Sequence, residues 1–402
     1  MKCRSCQSNN IKDVISLGDQ YLSEFLDEGL PKGKYPVNVV MCKNCTLIQL
    51  KETTPPDMLY TDNYGYYSGI NNTIGIDLRD IVDSSMKMVD LRENDVVVDI
   101  GSNDGTLLKN YPATLARIGF DPVTKFGEFY KDQNNLLFIN DYFNKETLLQ
   151  AYKDQGINRK PKIITAISCF YDLEDPNKFV QDIANILHPQ GVFVIQQNYL
   201  ATMLENLAFD NIVHEHIEYY SLKSLEHLLN RHFLKVVDVK VSGINGGAFR
   251  TYVKHMDNIE KMRLIEQKMK LDNQFTYVLF GMKIKKIAKQ VHDFVESETK
   301  KGKTIYLYGA STRLNSLFQV CGIDNTMIKA AVERNPVKYG KKFLGIPIIS
   351  EEQARKDKPD FFFIGPWFFI DEFVKREEEY LKAGGKLIVP LPEFKVISYD
   401  EN

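Results

Sequence analysis

The chain has 402 residues, 44% of them hydrophobic and 26% charged, and its 51 basic and 53 acidic side chains leave a net charge of −2. This near-neutrality lacks the basic footprint that nucleic acid or an anionic membrane surface would need, so a small-molecule partner is expected. The length exceeds one ordinary hydrophobic core and predicts more than one domain.

The amino terminus MKCRSCQSNN has no apolar leader, and the most hydrophobic stretch, FFFIGPWFFI, is too short for a membrane span and is broken by Gly and Pro. A cytoplasmic protein, monomeric or weakly self-associating, is expected. Residues 1–60 form a cysteine-bearing module that closes at TTPPDM, where two prolines interrupt regular structure. CRSC supplies Cys3 and Cys6, and CKNC supplies Cys42 and Cys45. Two such pairs complete a tetrahedral four-thiolate site suited to zinc, and with every position filled by sulfur the ion would be structural. The alternative is a set of reduced, unliganded thiols. Cys169 and Cys321 stand alone.

Residues 61–255 alternate β-branched runs with helical patterns. Strands are expected at 96–100, 116–120, 136–140, 162–167 and 192–196, the rhythm of a doubly wound parallel α/β sheet. The first ends in DIGSNDG, where Gly101 and Gly105 let backbone approach a ligand at the carboxyl edge. Asn103, Asp104 and Gly105 complete that loop. Its G-x-x-x-G spacing departs from the dinucleotide fingerprint, and Asp104 places an acid where a pyrophosphate would want a helix N-terminus, which favours a ligand with a positive centre. Asp121, 20 positions beyond Gly101, falls where a ribose hydroxyl is bound, and NDYF presents Asp141 and Tyr142 to a base. In series these features resemble the class I S-adenosylmethionine-dependent methyltransferases. That resemblance implies a cofactor lying across Gly101, Asp121, Asp141 and the Ser168-Cys169-Phe170 segment.

Beyond the fifth strand comes IVHEHIEYYS, with His214, Glu215, His216 and Glu218. The metalloprotease pattern needs two histidines one helical turn apart, whereas these stand two residues apart and would diverge by about 200° on a helix. A metal site is therefore rejected. Methyl transfer to carbon requires removal of a proton beside a carbonyl, for which His216 is suited as a base with Glu215 raising its basicity. The tyrosines of NYGYYSG, Tyr64, Tyr66 and Tyr67, could stabilise the enolate. Residues 256–300 read as a helical connector, and residues 301–402 repeat the strand-loop-helix rhythm as a smaller Rossmann-like α/β domain.

In combination, CRSC and CKNC, YGYYSG, DIGSNDGTLL, DNIVHEHIEYYS, GINGGAFRTYV, YGASTRLNSL and ERNPVKYGKKFLGIPI resemble the three-domain sugar C-methyltransferases nearly end to end. The resemblance implies a zinc-binding N-terminal domain, a central S-adenosylmethionine domain and a C-terminal domain that helps hold a nucleotide-linked 4-keto sugar. It places proton abstraction on Glu215 and His216. His214, Asn198, Arg250, Gly309, Ser311 and Arg334 are the expected substrate contacts. Asp172, in CFYDLED, stands where the family often carries a histidine. The competing expectations are an O- or N-methyltransferase, a zinc-ribbon protein that only binds a nucleotide, and an oxidoreductase using GASTRLNS, whose single glycine falls short of the dinucleotide fingerprint.

Overall fold

The run VVVDI at residues 96–100 is buried along its whole length, which a strand achieves in the interior of a sheet covered on both faces. Val96, Val97 and Val98 are at most 1% exposed, and each contributes about 1.5–3 kcal/mol of apolar burial. The computed structural model describes residues 1–23, 33–55, 58–59, 67–310 and 312–399. It divides into two units, residues 1–265 and 266–402.

The first unit contains β1 (Ile11–Gln20), β2 (Tyr35–Cys42) and β3 (Ile48–Leu50), followed by β4 (Val96–Ile100), β5 (Ala116–Phe120), β6 (Leu136–Ile139), β7 (Ile163–Ile167), β8 (Val192–Asn198), β9 (Glu218–Tyr219), β10 (Leu234–Ser242) and β11 (Ala248–His255). Seven of these form one sheet in the order β10-β11-β8-β7-β4-β5-β6. The strands from β6 to β8 are parallel, while β11 runs antiparallel to both β8 and β10. The five parallel strands are those expected from the alternating pattern. The antiparallel pair β10–β11 was not anticipated, because GGAFRTYV reads as a motif before it reads as a strand.

The topology reverses at β4, which sends β5 and β6 to one side and β7 and β8 to the other. A crevice at the carboxyl ends follows from that reversal. Gly119 on β5 is required by close approach, since a Cβ there would lie 2.5 Å from Ser102 Oγ and 2.6 Å from Tyr130 Oη.

The N-terminal module is a separate antiparallel sheet, β1-β2-β3-β9. Its last strand comes from the IVHEHIEYYS segment, with Glu218 opposite Gln49 and Tyr219 opposite Ile48. Cys3, Cys42, Cys45 and Leu47 belong to the same apolar cluster as Phe170, Phe193 and Tyr220, so the module and the seven-stranded sheet share a core.

The helix Asn72–Met86 starts at an Asn71 cap, whose Oδ1 accepts the Thr73 amide at 2.9 Å, and buries Leu78, Ile81 and Val82 on the opposite sheet face. Arg250 pins it: the guanidinium is 1% exposed and donates to Asp80 at 2.7 Å, Asp77 at 3.0 Å and Gln196 Oε1 at 2.8 Å. Gln196 in turn donates to Asp77 at 2.5 Å. Arg250→Met leaves the largely buried Asp77 with only the Gln196 amide, while Asp80 keeps Lys240 at 2.6 Å, and should cost about 3–5 kcal/mol by chemical denaturation. A loss below about 1 kcal/mol would show that the network does not hold the helix.

In the second unit, the helix Gln274–Lys300 contributes Ala288, Val291 and Val295 to the core. The sheet comprises β12 (Ile305–Tyr308), β13 (Ala330–Glu333), β14 (Lys342–Phe343), β15 (Ile346–Ser350), β16 (Phe361–Ile364), β17 (Lys386–Val389) and β18 (Lys395–Ile397), ordered β14-β15-β13-β12-β16-β17-β18. Its centre is parallel and its two edge pairings are antiparallel. Among the described residues, no helix is long and apolar enough to cross a membrane.

Candidate active site and metal centre

A cavity of about 290 Å³ opens at the carboxyl ends of β4, β5, β7 and β8. Its wall carries Gly101, Asn103, Asp121, Asp141, Tyr142, Ser168 and Cys169, all expected from the sequence to meet the cofactor. Gly101 sits at φ +70° with Cys169 beside it, and a Cβ there would lie 3.1 Å from the Cys169 Sγ, so the turn admits no side chain without displacing that wall.

The other three expected contacts lie outside the wall. Asp104 accepts from the Thr106 hydroxyl at 2.6 Å and the Gly69 amide at 2.8 Å. It therefore ties the glycine loop to the segment that follows NYGYY. Gly105 closes against the Tyr130 ring, and Phe170 is fully buried against Phe179, Phe193 and Tyr220. These three build the loop and core that carry the cavity. Tyr64 and Tyr66 lie outside the described residues. Their neighbour Ser68 donates its amide to Asn103 Oδ1 at 3.0 Å and lines the cavity.

Acid dominates the polar lining. Asp99 is buried at the end of β4, accepts from the Thr165 hydroxyl at 2.5 Å, and is raised by burial to about 7, with Asp121 adding to the rise. Burial also raises Asp121, against the opposing pull of the Val123 and Asn103 amides, each 2.9 Å from one of its oxygens. Two carboxylates held above their ordinary range in one cavity are a receptor for positive charge, because a cation restores the ionised form that burial disfavours. Asp77 and Gln196, aligned by Arg250, also line the cavity. No sequence motif marks Asp77, since it belongs to a helix before the first parallel strand.

Of the expected substrate contacts, Arg250 spends its guanidinium on Asp77, Asp80 and Gln196. His214 is buried with Nε2 3.2 Å from the Tyr35 carbonyl, so it fastens the segment to β2 of the zinc module. The Asn198 side chain donates to Asn211 Oδ1. In the second unit, Gly309 ends β12 at φ +88° against Pro366, and Arg334 donates to Glu351 at 2.8 Å. Ser311 lies outside the described residues.

His216 is half-buried, with Nδ1 2.9 Å from the Asn211 carbonyl and its ring edge-on to Tyr171 at 4.4 Å between centroids. It does not line the cavity itself. It is linked to it through Tyr171, whose neighbour Asp172 does. Burial pulls the imidazole below its ordinary value, while the Asn211 bond and Glu215 push the other way. The net direction favours the neutral ring. Glu215 has one oxygen buried without a hydrogen-bond partner among the described residues.

The four module cysteines place their sulfurs within 4.8 Å of one another, with Cys3–Cys45 at 3.5 Å and Cys6–Cys42 at 3.4 Å. Tetrahedral zinc with bonds of about 2.3 Å requires sulfur separations of about 3.8 Å, so the residues fit the ion. The shared Cys3–Cys45 hydrogen bond pulls Cys3 down and pushes Cys45 up, and burial raises Cys6. Of these three thiols only Cys3 is drawn toward the thiolate, the species that binds metal.

Family models cover most of the chain. A zinc binding domain matches residues 3–60, a methyltransferase domain residues 77–239, and a C-methyltransferase C-terminal domain residues 243–392. The C-methyltransferase NovU of Streptomyces niveus is 30% identical over 411 residues, spanning 99% of this chain and 97% of that protein. Among solved structures, the N-methyltransferase NodS from Bradyrhizobium japonicum WM9 aligns over 47% of this chain and 99% of its own, at 9% identity and TM-score 0.35. An S-adenosylmethionine-dependent methyltransferase from Clostridium acetobutylicum ATCC 824 aligns over 45% and 91%, at 13% identity and TM-score 0.31.

Proposed function

The chain belongs to the S-adenosylmethionine-dependent C-methyltransferases, and we propose that it methylates the carbon beside the ketone of a nucleotide-linked 4-keto deoxysugar, through an enolate formed by His216. The observation that carries this reading is the His216 hydrogen bond. A backbone carbonyl cannot donate, so Nδ1 bears the proton, and in the neutral ring that burial favours Nε2 holds the lone pair. Such a ring accepts a proton at neutral pH.

S-adenosylmethionine, when bound, supplies an electrophilic methyl group on a positively charged sulfur. Asp99 and Asp121 balance that charge from the cavity wall, and Gly101 gives the ligand backbone to lie against. At the substrate, Nε2 of His216 takes the proton from the α-carbon, and the freed electron pair moves into the carbonyl as an enolate. That carbon would then take the methyl as the methyl–sulfur bond breaks, its electrons leaving a neutral thioether, and the carbonyl would re-form. Glu215 favours the imidazolium that results. On this reading, residues 1–60 hold the structural zinc and 61–255 the methyl donor and base, while of the expected connector 256–300 the helix Gln274–Lys300 packs into the core of the second unit. Residues 301–402 help hold the nucleotide, with Gly309 and Arg334 at its strand ends.

The test incubates the enzyme with 4-keto sugar nucleotides in deuterated water, without methyl donor. Exchange of the α-proton, followed by a C-methyl product once donor is added, is expected. An O-methyl product with no exchange would sink the enolate reading.

A further inference from the structure

We infer that Asn198 and Asn211 are positioning residues: a hydrogen-bonded chain from the end of β8 through Asn211 fixes which nitrogen of His216 carries the proton. The inference rests on His216 being the base, but the geometry it uses is independent of that role.

The chain begins on the sheet. Asn198 is the last residue of β8, paired with Ala248 of β11, so its backbone is set by the sheet. Its Nδ2 donates to Asn211 Oδ1 at 2.5 Å. The Asn211 amide has one consistent orientation, because its own Nδ2 donates to the Ala208 carbonyl at 3.2 Å while its oxygen accepts from Asn198. Asn211 is held at the end of the short turn Phe209–Asn211, where the Ile212 amide closes back on the Phe209 carbonyl at 2.9 Å. From that anchored residue the backbone carbonyl accepts from His216 Nδ1.

The other side of the ring is equally constrained. The Ile217 amide donates to the Tyr171 carbonyl at 3.1 Å, and the Tyr171 ring packs against the imidazole. A histidine with no fixed acceptor interconverts between its two neutral tautomers. Here an acceptor is supplied by a carbonyl whose own position is set two hydrogen bonds away, at the strand end nearest the cavity. Orientation of a base by a third group is what separates a catalytic histidine from a surface one.

An asparagine in a turn commonly serves the turn alone, and that role would move stability without moving the proton. The test therefore reads the proton directly. In protein labelled with 15N-histidine, long-range proton–nitrogen correlation reports the tautomer of each ring, and His216→Asn identifies the resonance. The wild type should show His216 protonated at Nδ1. Asn198→Ala should raise the Nε2-protonated fraction and lower kcat by about 10- to 100-fold, the usual cost of a misplaced catalytic group, with S-adenosylhomocysteine affinity unchanged.

An unchanged tautomer and pH profile in Asn198→Ala would overturn the inference. A tautomer that shifts while turnover is untouched would support the positioning chain and remove His216 as base, so the two readings fail separately. Should Asn198→Ala not fold, the similarly sized Asn198→Leu removes the donor without adding a charge and carries the same readouts.

Discussion

His216→Asn should lower kcat by roughly two to four orders of magnitude, the usual worth of a positioned general base, while S-adenosylhomocysteine binding by calorimetry stays at the wild-type value. The separation is expected because His216 lies outside the cavity wall formed by Gly101, Asp121 and Asp141. The pH profile supplies the sign. Activity needs the neutral ring, and burial holds its pKa below the ordinary 6.5. The acid limb of kcat/KM should therefore fall at a pH below 6.5, with activity lost as pH drops through it. Loss of that limb in His216→Asn, at a low residual rate, would assign it to this residue. A variant that kept near-normal turnover would remove the base.

Metal removal should be the larger structural effect. Strong chelation, or Cys42→Ser, should abolish bound zinc, measured by mass spectrometry of the metal, and melt the N-terminal sheet. Structural zinc contributes about 10–16 kcal/mol in small domains near neutral pH, comparable to the whole stability of a typical domain. The effect should reach the proposed base, because the sheet that would melt includes β9, two residues beyond His216. The Leu50 amide bonds the Ile217 carbonyl, and His214 bonds the Tyr35 carbonyl. Turnover should therefore fall together with the thermal midpoint. Metal-free protein with an unchanged midpoint and full activity would show that the cysteines are not a structural centre.

The division between what the chain spells out and what folding adds is visible in particular residues. VVVDI, ARIGF and GVFVIQ are short apolar runs bounded by turns, a local signal of period and composition, so the parallel strands and the glycine loop could be read directly. The strand β9 could not. Two residues of EY carry no strand signal, and they pair only because β3 offers an open edge from a segment far earlier in the chain. Phe170 likewise looked like a ligand contact by its place after β7, yet its side chain turns into the core. Position along a strand sets which end a residue occupies, whereas face and partner are set by packing.

From residue types and spacing alone came the four-thiolate site, the glycine loop and the fold class, because metal ligation, tight turns and buried strands each impose a local pattern. The role of Arg250 as the pin of the helix Asn72–Met86, the placing of Asp77 in the cavity wall, the anchoring of His214 on Tyr35 and the Asn198–Asn211–His216 chain were decided by the tertiary structure. Each joins residues brought together by sheet order, and a hydrogen bond is satisfied by distance in space, which sequence separation does not record.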